Sequence, residues 1–192
     1  MIIKDWKKEI LTIPNLLSLF RLLLIPVYVV IYLKATEPAH YTMAGLILAV
    51  SCLTDMIDGM IARQFNMISK VGKILDPLAD KATQFTLTVC LAIKHPVLWI
   101  IAGLIFLKES FQLIAGFIFL RKGKMLTRAL MSGKICTTVL FVSLILLVLI
   151  PGLDETVITI FTIVDCLFLL IAFADYIRTY VKQSSIIQNI DE

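Results

Sequence analysis

The run ICTTVLFVSLILLVLI, Ile135–Ile150, carries no charge and lies between Lys134 and Pro151. A bilayer core takes about 20 predominantly apolar residues per helical crossing, so 134–151 reads as one membrane span. Working outward, five more apolar runs stand at 14–34, 42–63, 75–94, 97–120 and 156–180. Pro14, Pro96 and Pro151 sit at span ends. Pro26 and Pro77 fall inside or near helix starts, where membrane helices tolerate them.

Composition supports the same reading. The 192 residues are 59% hydrophobic and 17% charged, with a mean hydropathy of +0.95. Soluble domains run near 45–50% apolar and about 25% charged. A soluble enzyme, a basic nucleic-acid module and a disordered tail are all excluded on those figures, and no nucleic-acid partner is expected. Six spans use roughly 120 residues, which leaves no room for an attached soluble domain. The expected fold is therefore an all-α membrane protein in a single domain, 1–192, with a six-helix bundle over 14–180. No internal repeat is visible, so an inverted-repeat transporter gains no support. Cys52, Cys90, Cys136 and Cys166 all lie in apolar runs without a C-x-x-C pair, which fits small buried fillers. His40 and His95 stand alone near prolines and read as loop residues.

The first residues show no cleavage pattern. Ile2, Trp6 and Ile10 recur at helical spacing with Lys4, Lys7 and Lys8 between them. This predicts a short amphipathic helix over 1–12 lying on a membrane surface. Loop charge sets the orientation. One side gathers Lys4, Lys7, Lys8, Arg63, Lys70, Lys73, Arg121, Lys122, Lys124, Arg128, Lys134, Arg178 and Lys182, while the other has only Lys34 and Lys94. The positive-inside rule then places both termini in the cytoplasm. A plasma (inner) membrane location is expected, and the basic face would attract anionic lipid headgroups.

Some charges lie inside the spans: Arg21, Asp55, Asp58, Asp76, Asp80, Lys81, Lys108, Glu109, Asp165 and Asp175. Each costs a few kcal/mol at the bilayer centre and is a functional hypothesis by default. Asp55 and Asp58 are i, i+3 near the cytoplasmic end of the second span. Asp76 and Asp80 are i, i+4 at the cytoplasmic start of the third. The short connection predicts antiparallel neighbours with both acid pairs at similar depth, about 5–12 Å below the surface. Four carboxylates cannot converge there uncompensated. Hard oxygen ligands call for Mg²⁺ or Mn²⁺, and two such ions sharing ligands suit phosphoryl transfer.

The full local pattern is Asp55-x2-Asp58-Gly59-x2-Ala62-Arg63-x8-Gly72-x3-Asp76-x3-Asp80. Eight fixed positions match by chance on the order of once in 10¹⁰ starting points. The pattern resembles, at every fixed position, the motif of the CDP-alcohol phosphotransferases, membrane enzymes that build phospholipids. The opening TIPNLLSLFR, Thr12–Arg21, extends the likeness.

The resemblance implies transfer of a phosphatidyl group from CDP-diacylglycerol to an alcohol acceptor, with release of CMP, by a homodimer with a cytoplasmic two-metal site. In it Asp55 and Asp76 would bridge both ions, Asp58 would hold the first and Asp80 would touch the second. Asp80 would also be the base for the acceptor hydroxyl, a step such a displacement needs. Gly59 and Ala62 would leave room for the cytidine, and Arg63 would clamp the diphosphate through its fork. Ser69 matches a position near the nucleotide phosphates. Gly72 would mark the loop-to-helix turn, with N–H groups facing anions. Asn15 and Arg21 resemble a first-span polar pair near the nucleotide; the other reading of Arg21 is a snorkelling arginine.

The acceptor is less sharply written. Lys108-Glu109 resembles an Arg-Glu pair of the phosphatidylglycerophosphate-making branch, and Gly133-Lys134-Ile135-Cys136-Thr137 resembles its G-K-x-K-T. Cys136 stands where that branch has a second lysine, and Gly116 where it has an arginine. Arg121, Lys122, Lys124 and Arg128 are the cations available to substitute, beside Lys108 and Lys134. Lys108-Glu109 followed by Leu113-Ile114-Ala115-Gly116 is also similar to the cardiolipin synthase branch, whose acceptor is phosphatidylglycerol. The expected acceptor is sn-glycerol 3-phosphate, with phosphatidylglycerol as the alternative. A cation transporter would explain intramembrane acids but not the glycines, Ala62 and Arg63 at fixed spacing. Finally, Lys108 and Asp165 have matching depths within roughly 3 Å. They are expected to pair, directly or through Glu109. In the rival arrangement Lys108 faces the acceptor.

Overall fold

Helix α1 starts where its sequence allows. Thr12 is extended (φ −85°, ψ 149°), and Pro14 occupies the first turn, where a missing N–H costs nothing. A computed structural model describes residues 12–64, 72–121 and 131–191, without the side chains of 13–14, 55–56, 58–59, 61–64, 73–74, 120 and 184–191. The proposed interfacial helix, 1–12, lies almost wholly outside the described residues. α1 (Ile13–Leu33) runs on through Pro26. It is followed by α2 (Pro38–Gln64), α3 (Gly72–Lys94), α4 (Trp99–Arg121), α5 (Met131–Leu149) and α6 (Glu155–Asp191). A single 3₁₀ turn, Pro96–Leu98, precedes α4. Among the described residues no strand occurs, so the fold is all-helical.

The six helices of the described residues fall on the six expected runs. Among the described residues, four segments are long and apolar enough to cross a membrane: Asn15–Leu33, Pro96–Phe119, Met131–Leu149 and Glu155–Gln183. In α2 the apolar part is only Pro38–Thr54, because Asp55, Asp58 and Arg63 occupy its last turns. In α3 the acids Asp76 and Asp80 and Lys81 occupy the first turns. The apolar part of α6 matches the expected span 156–180, and the helix itself continues to Asp191, since neither glycine nor proline interrupts 155–192. His40, read as a loop residue, instead lies in the first turn of α2, its N–H bonded to Glu37 O at 3.0 Å.

Large apolar side chains point outward along these helices: Leu23, Phe106 and Leu113 are 61%, 65% and 71% exposed. In water such a surface would be an aggregation liability. On helices of spanning length it is the lipid-facing surface of a membrane protein.

The described chain forms two compact units. The first holds the residues through Leu91 together with Ile145–Pro151; the second holds Ala92–Leu144 and the chain from Gly152 on. Two of the boundaries fall inside helices, in α3 and α5.

In the first unit α1 and α2 pack along each other. An aromatic ladder fixes their hairpin: Tyr28 stacks on Tyr32 at 5.5 Å, and Tyr41 meets Tyr32 edge-on at 5.8 Å. Both Tyr28 and Tyr32 are buried, as are Ala44, Leu48, Leu87 and Leu91 of the same unit. Gly45 permits the closest approach. A Cβ there would lie 2.2 Å from Leu149 Cδ2, at the end of α5.

In the second unit α4 packs on α6 through rings: Phe111 against Phe173 and Tyr180, and Phe119 against Tyr180. Gly152, at φ +87°, makes the turn into α6. Asp154 then caps that helix, accepting the Thr156 N–H at 3.2 Å. Hydrogen bonds from Thr156 hold the Asp154 carboxyl below the usual carboxylate range.

Candidate active site

α1 is amphipathic with the polar stripe turned inward. Asn15, Ser18 and Arg21 recur every third residue and are 3%, 0% and 2% exposed, while Leu16, Leu19, Phe20 and Leu23 face out. Helical spacing alone puts the three on one face. In an apolar helix that face has to meet polar partners.

Those partners are on α3. Ser18 Oγ donates to Asp76 Oδ1 at 2.5 Å, and Arg21 pairs through Nη1 with Asp80 Oδ1. The offsets are 58 and 59 residues, so α1 and α3 run in the same direction with one turn of α1 matched to one turn of α3. Arg21 is therefore buried and paired rather than snorkelling. Beside it, toward the C-terminal end of α1, a small cavity is lined by Arg21 and Tyr28 of α1, Leu48 and Ser51 of α2, and Thr83 and Thr86 of α3. Three helices thus meet next to the Arg21–Asp80 pair. The Tyr28 hydroxyl is buried there with no hydrogen-bond partner.

Asp55 and Asp58 lie on α2 one and two turns beyond Ser51, on unbroken helix that also carries Gly59, Ala62 and Arg63. The side chains of these α2 residues, and Ser69 altogether, lie outside the described residues. Gly72 is the buried first residue of α3. Asp76 is half-buried and Asp80 exposed at the start of the same helix. Among the described residues no three acids, histidines or cysteines gather into a metal-binding group. Asp76 and Asp80 supply only carboxylate oxygens, the donor chemistry that suits Mg²⁺ or Mn²⁺ rather than a thiophilic metal.

The expected acceptor residues belong to the second unit. Lys108 is buried, and its Nζ donates to Glu109 Oε1 at 2.8 Å. The expected Lys108–Asp165 pair does not form. Asp165, 1% exposed, accepts instead from Ser143 Oγ on α5, and its other carboxylate oxygen is buried without a partner. The sequence reading matched depths along the helix axes; the direction around each axis turns Asp165 to α5. Buried Cys136 still lies close enough to Lys108, Asp165 and Glu109 to feel all three charges. Lys134 is exposed, and exposed Arg121 lies 4.6 Å over the Phe117 ring of its own helix. Gly133 abuts Tyr176, where a Cβ would sit 3.3 Å from the ring. Arg128 falls outside the described residues. The sequence reading gave no role to Ser18 or Ser143. Ser18 was findable, since it completes the three-residue repeat between Asn15 and Arg21.

The buried polar face of α1 and the four-acid pattern lie within the region matched by a model of the CDP-alcohol phosphatidyltransferase family, residues 11–174. The chain belongs to that family. Among its relatives, a CDP-diacylglycerol–glycerol-3-phosphate 3-phosphatidyltransferase of Aquifex aeolicus is 33% identical over 171 residues, 86% of this chain and 94% of that protein. A cardiolipin synthase (CMP-forming) of Streptomyces coelicolor is 34% identical over 147 residues, 75% and 68% of the two chains. A cardiolipin synthase/mitochondrial hydrolase fusion protein of Schizosaccharomyces pombe is 38% identical over 99 residues. These make up 52% of this chain and only 16% of the fusion. As a CDP-alcohol phosphatidyltransferase, the chain contains the four-aspartate pattern within the matched region, on α2 and α3.

Proposed function

We propose that the chain transfers the phosphatidyl group of CDP-diacylglycerol to sn-glycerol 3-phosphate, giving phosphatidylglycerophosphate and CMP. The observation that carries the reading is the pair of α3 acids, Asp76 and Asp80, held by the buried Ser18 and Arg21 of α1. Charged groups gathered within membrane helices, with a buried arginine among them, are a functional site by default. In the reaction the acceptor oxygen bonds to the phosphorus on the diacylglycerol side, the P–O bond to CMP breaks, and Asp80 takes the hydroxyl proton. Asp55, Asp58, Asp76 and Asp80 would hold two divalent cations, Mg²⁺ or Mn²⁺. Once bound, these would neutralise the diphosphate charge. Asn15, Arg21, Gly59, Ala62, Arg63, Ser69 and Gly72 form the CDP-lipid side. Lys108, Arg121, Arg128 and Lys134 form the acceptor side.

The extent of the Aquifex aeolicus likeness, nearly end to end in both chains, favours glycerol 3-phosphate. A second reading, cardiolipin synthesis from phosphatidylglycerol, is favoured by the local charge. Lys108 is already neutralised by Glu109, Cys136 is buried in place of a lysine, and the space beside the Gly116 Cα is open where an arginine would stand. Around this chemistry we place one domain over 1–192 with six spans. It would have an interfacial helix over 1–12, both termini and the site in the cytoplasm of a plasma (inner) membrane, and a homodimer as the assembly. The asymmetry of loop lysines and arginines supports the orientation.

The test supplies purified protein with CDP-diacylglycerol, Mg²⁺ or Mn²⁺, and each acceptor in turn, and identifies the lipid formed. Phosphatidylglycerophosphate is expected; cardiolipin would move the chain to the second reading. No CMP with any acceptor would point to the cation-transporter alternative.

A further inference from the structure

We propose that Arg21 is an exchangeable counter-ion: it pairs with Asp80 and moves to the diphosphate of the CDP-lipid as the carboxylate turns to metal. This rests on the reading of Asp80 given above. The guanidinium is nearly fully buried and cannot shed its charge, so it requires an anion at all times. Asp80 is an anion that it holds, through Oδ1. The same carboxylate is asked to face a divalent cation. A fixed guanidinium on it would oppose that cation directly, since like charges a few Å apart repel by several kcal/mol even at an effective dielectric of about 20.

The conflict is removed if Arg21 changes partner. A guanidinium fits phosphate oxygens as well as carboxylate ones, by paired N–H donors. A small cavity lies beside Arg21, walled in part by the apolar Leu24, Ile25 and Ile47. Its wall carries the hydroxyl-bearing residues Tyr28, Ser51, Thr83 and Thr86, and the Tyr28 hydroxyl has no partner of its own. Asp80, whose side chain is 48% exposed, can reach outward once released. The consequence is an order in the site. Metal alone binds weakly against Arg21, and the lipid diphosphate relieves the opposition by drawing Arg21 away.

The decisive measurement is Mn²⁺ binding to the full-length protein in lipid nanodiscs, without nucleotide, followed by electron paramagnetic resonance. Arg21→Gln should tighten Mn²⁺ binding about tenfold or more, as removal of one opposing charge predicts. Arg21→Lys keeps the charge and should stay near the wild type. A residue that merely supported the fold would give the opposite sign, weaker Mn²⁺ binding in Arg21→Gln. Either that result or an unchanged affinity overturns the proposal. If Arg21→Gln does not fold, the wild type decides by mass-spectrometric mapping of phenylglyoxal modification. Mn²⁺ should raise the modification of Arg21, and CDP added with Mn²⁺ should lower it again. Indifference of Arg21 to Mn²⁺ overturns the proposal. CMP release by the wild type is scored separately. Its absence removes the transferase reading, whereas CMP release with no effect of Arg21 on Mn²⁺ removes the counter-ion alone.

Discussion

Asp165 on α6 takes its hydrogen bond from Ser143 on α5, 22 residues earlier, while Lys108 on α4 is held by its own neighbour Glu109. Two charged residues expected at one depth are thus held by different partners. Swapping them, Lys108→Asp with Asp165→Lys, should therefore recover nothing: the double variant is expected to unfold no later than the worse single one. Ser143→Ala should cost about 1–3 kcal/mol, because it removes the donor and leaves a buried acceptor bare. Asp165→Asn keeps an oxygen for Ser143 and should cost less. Thermal unfolding in detergent ranks the five variants against the wild type, and rescue by the double swap would restore the direct pair.

Asp80→Asn should lower turnover by about 10²–10⁴-fold, the usual loss for a general base. CDP-diacylglycerol should still bind, since the amide keeps the size of the side chain. Single-turnover CMP release beside a binding titration separates the two effects. Turnover near wild type would assign the base elsewhere.

Asp55→Asn tests the other end of the acid set. A ligand shared by two ions serves both, so this change should weaken metal activation and nucleotide binding together. The check is activity titrated with Mn²⁺ at several CDP-diacylglycerol concentrations. An unchanged Mn²⁺ midpoint would argue against a bridging role.

The helices were legible because long charge-free runs have few alternatives, and the acids because a charge in such a run is conspicuous. What stayed hidden has a common cause. Depth along a helix follows from counting residues, but the direction around it depends on neighbours. Depth alone therefore matched Lys108 to Asp165, and the azimuth matched Asp165 to Ser143. Hydroxyls are quiet in a sequence. Thr83, Thr88 and Thr162 return their protons to the backbone carbonyl four residues earlier. Nothing in composition separates them from Ser18, which reaches across to Asp76. The end of α6 beyond its span has no stop signal to read, since counting apolar residues measures a span and not a helix.

Gly45 offers a test in which two opposing magnitudes decide the sign. In a helix interior alanine is favoured over glycine by about 1 kcal/mol. At this position the added Cβ would meet Leu149 Cδ2 at 2.2 Å and Cγ at 3.3 Å. Leu149 is 45% exposed and can swing outward, so the overlap should cost at the low end of the 1–3 kcal/mol typical of overpacking. Gly45→Ala alone is thus expected to be neutral or slightly destabilising. With Leu149→Ala the obstacle is gone, and the same change should stabilise by about 1 kcal/mol. A double-mutant cycle on unfolding temperature reads the difference directly. Equal effects of Gly45→Ala in both backgrounds would mean that α2 and the end of α5 do not depend on this contact.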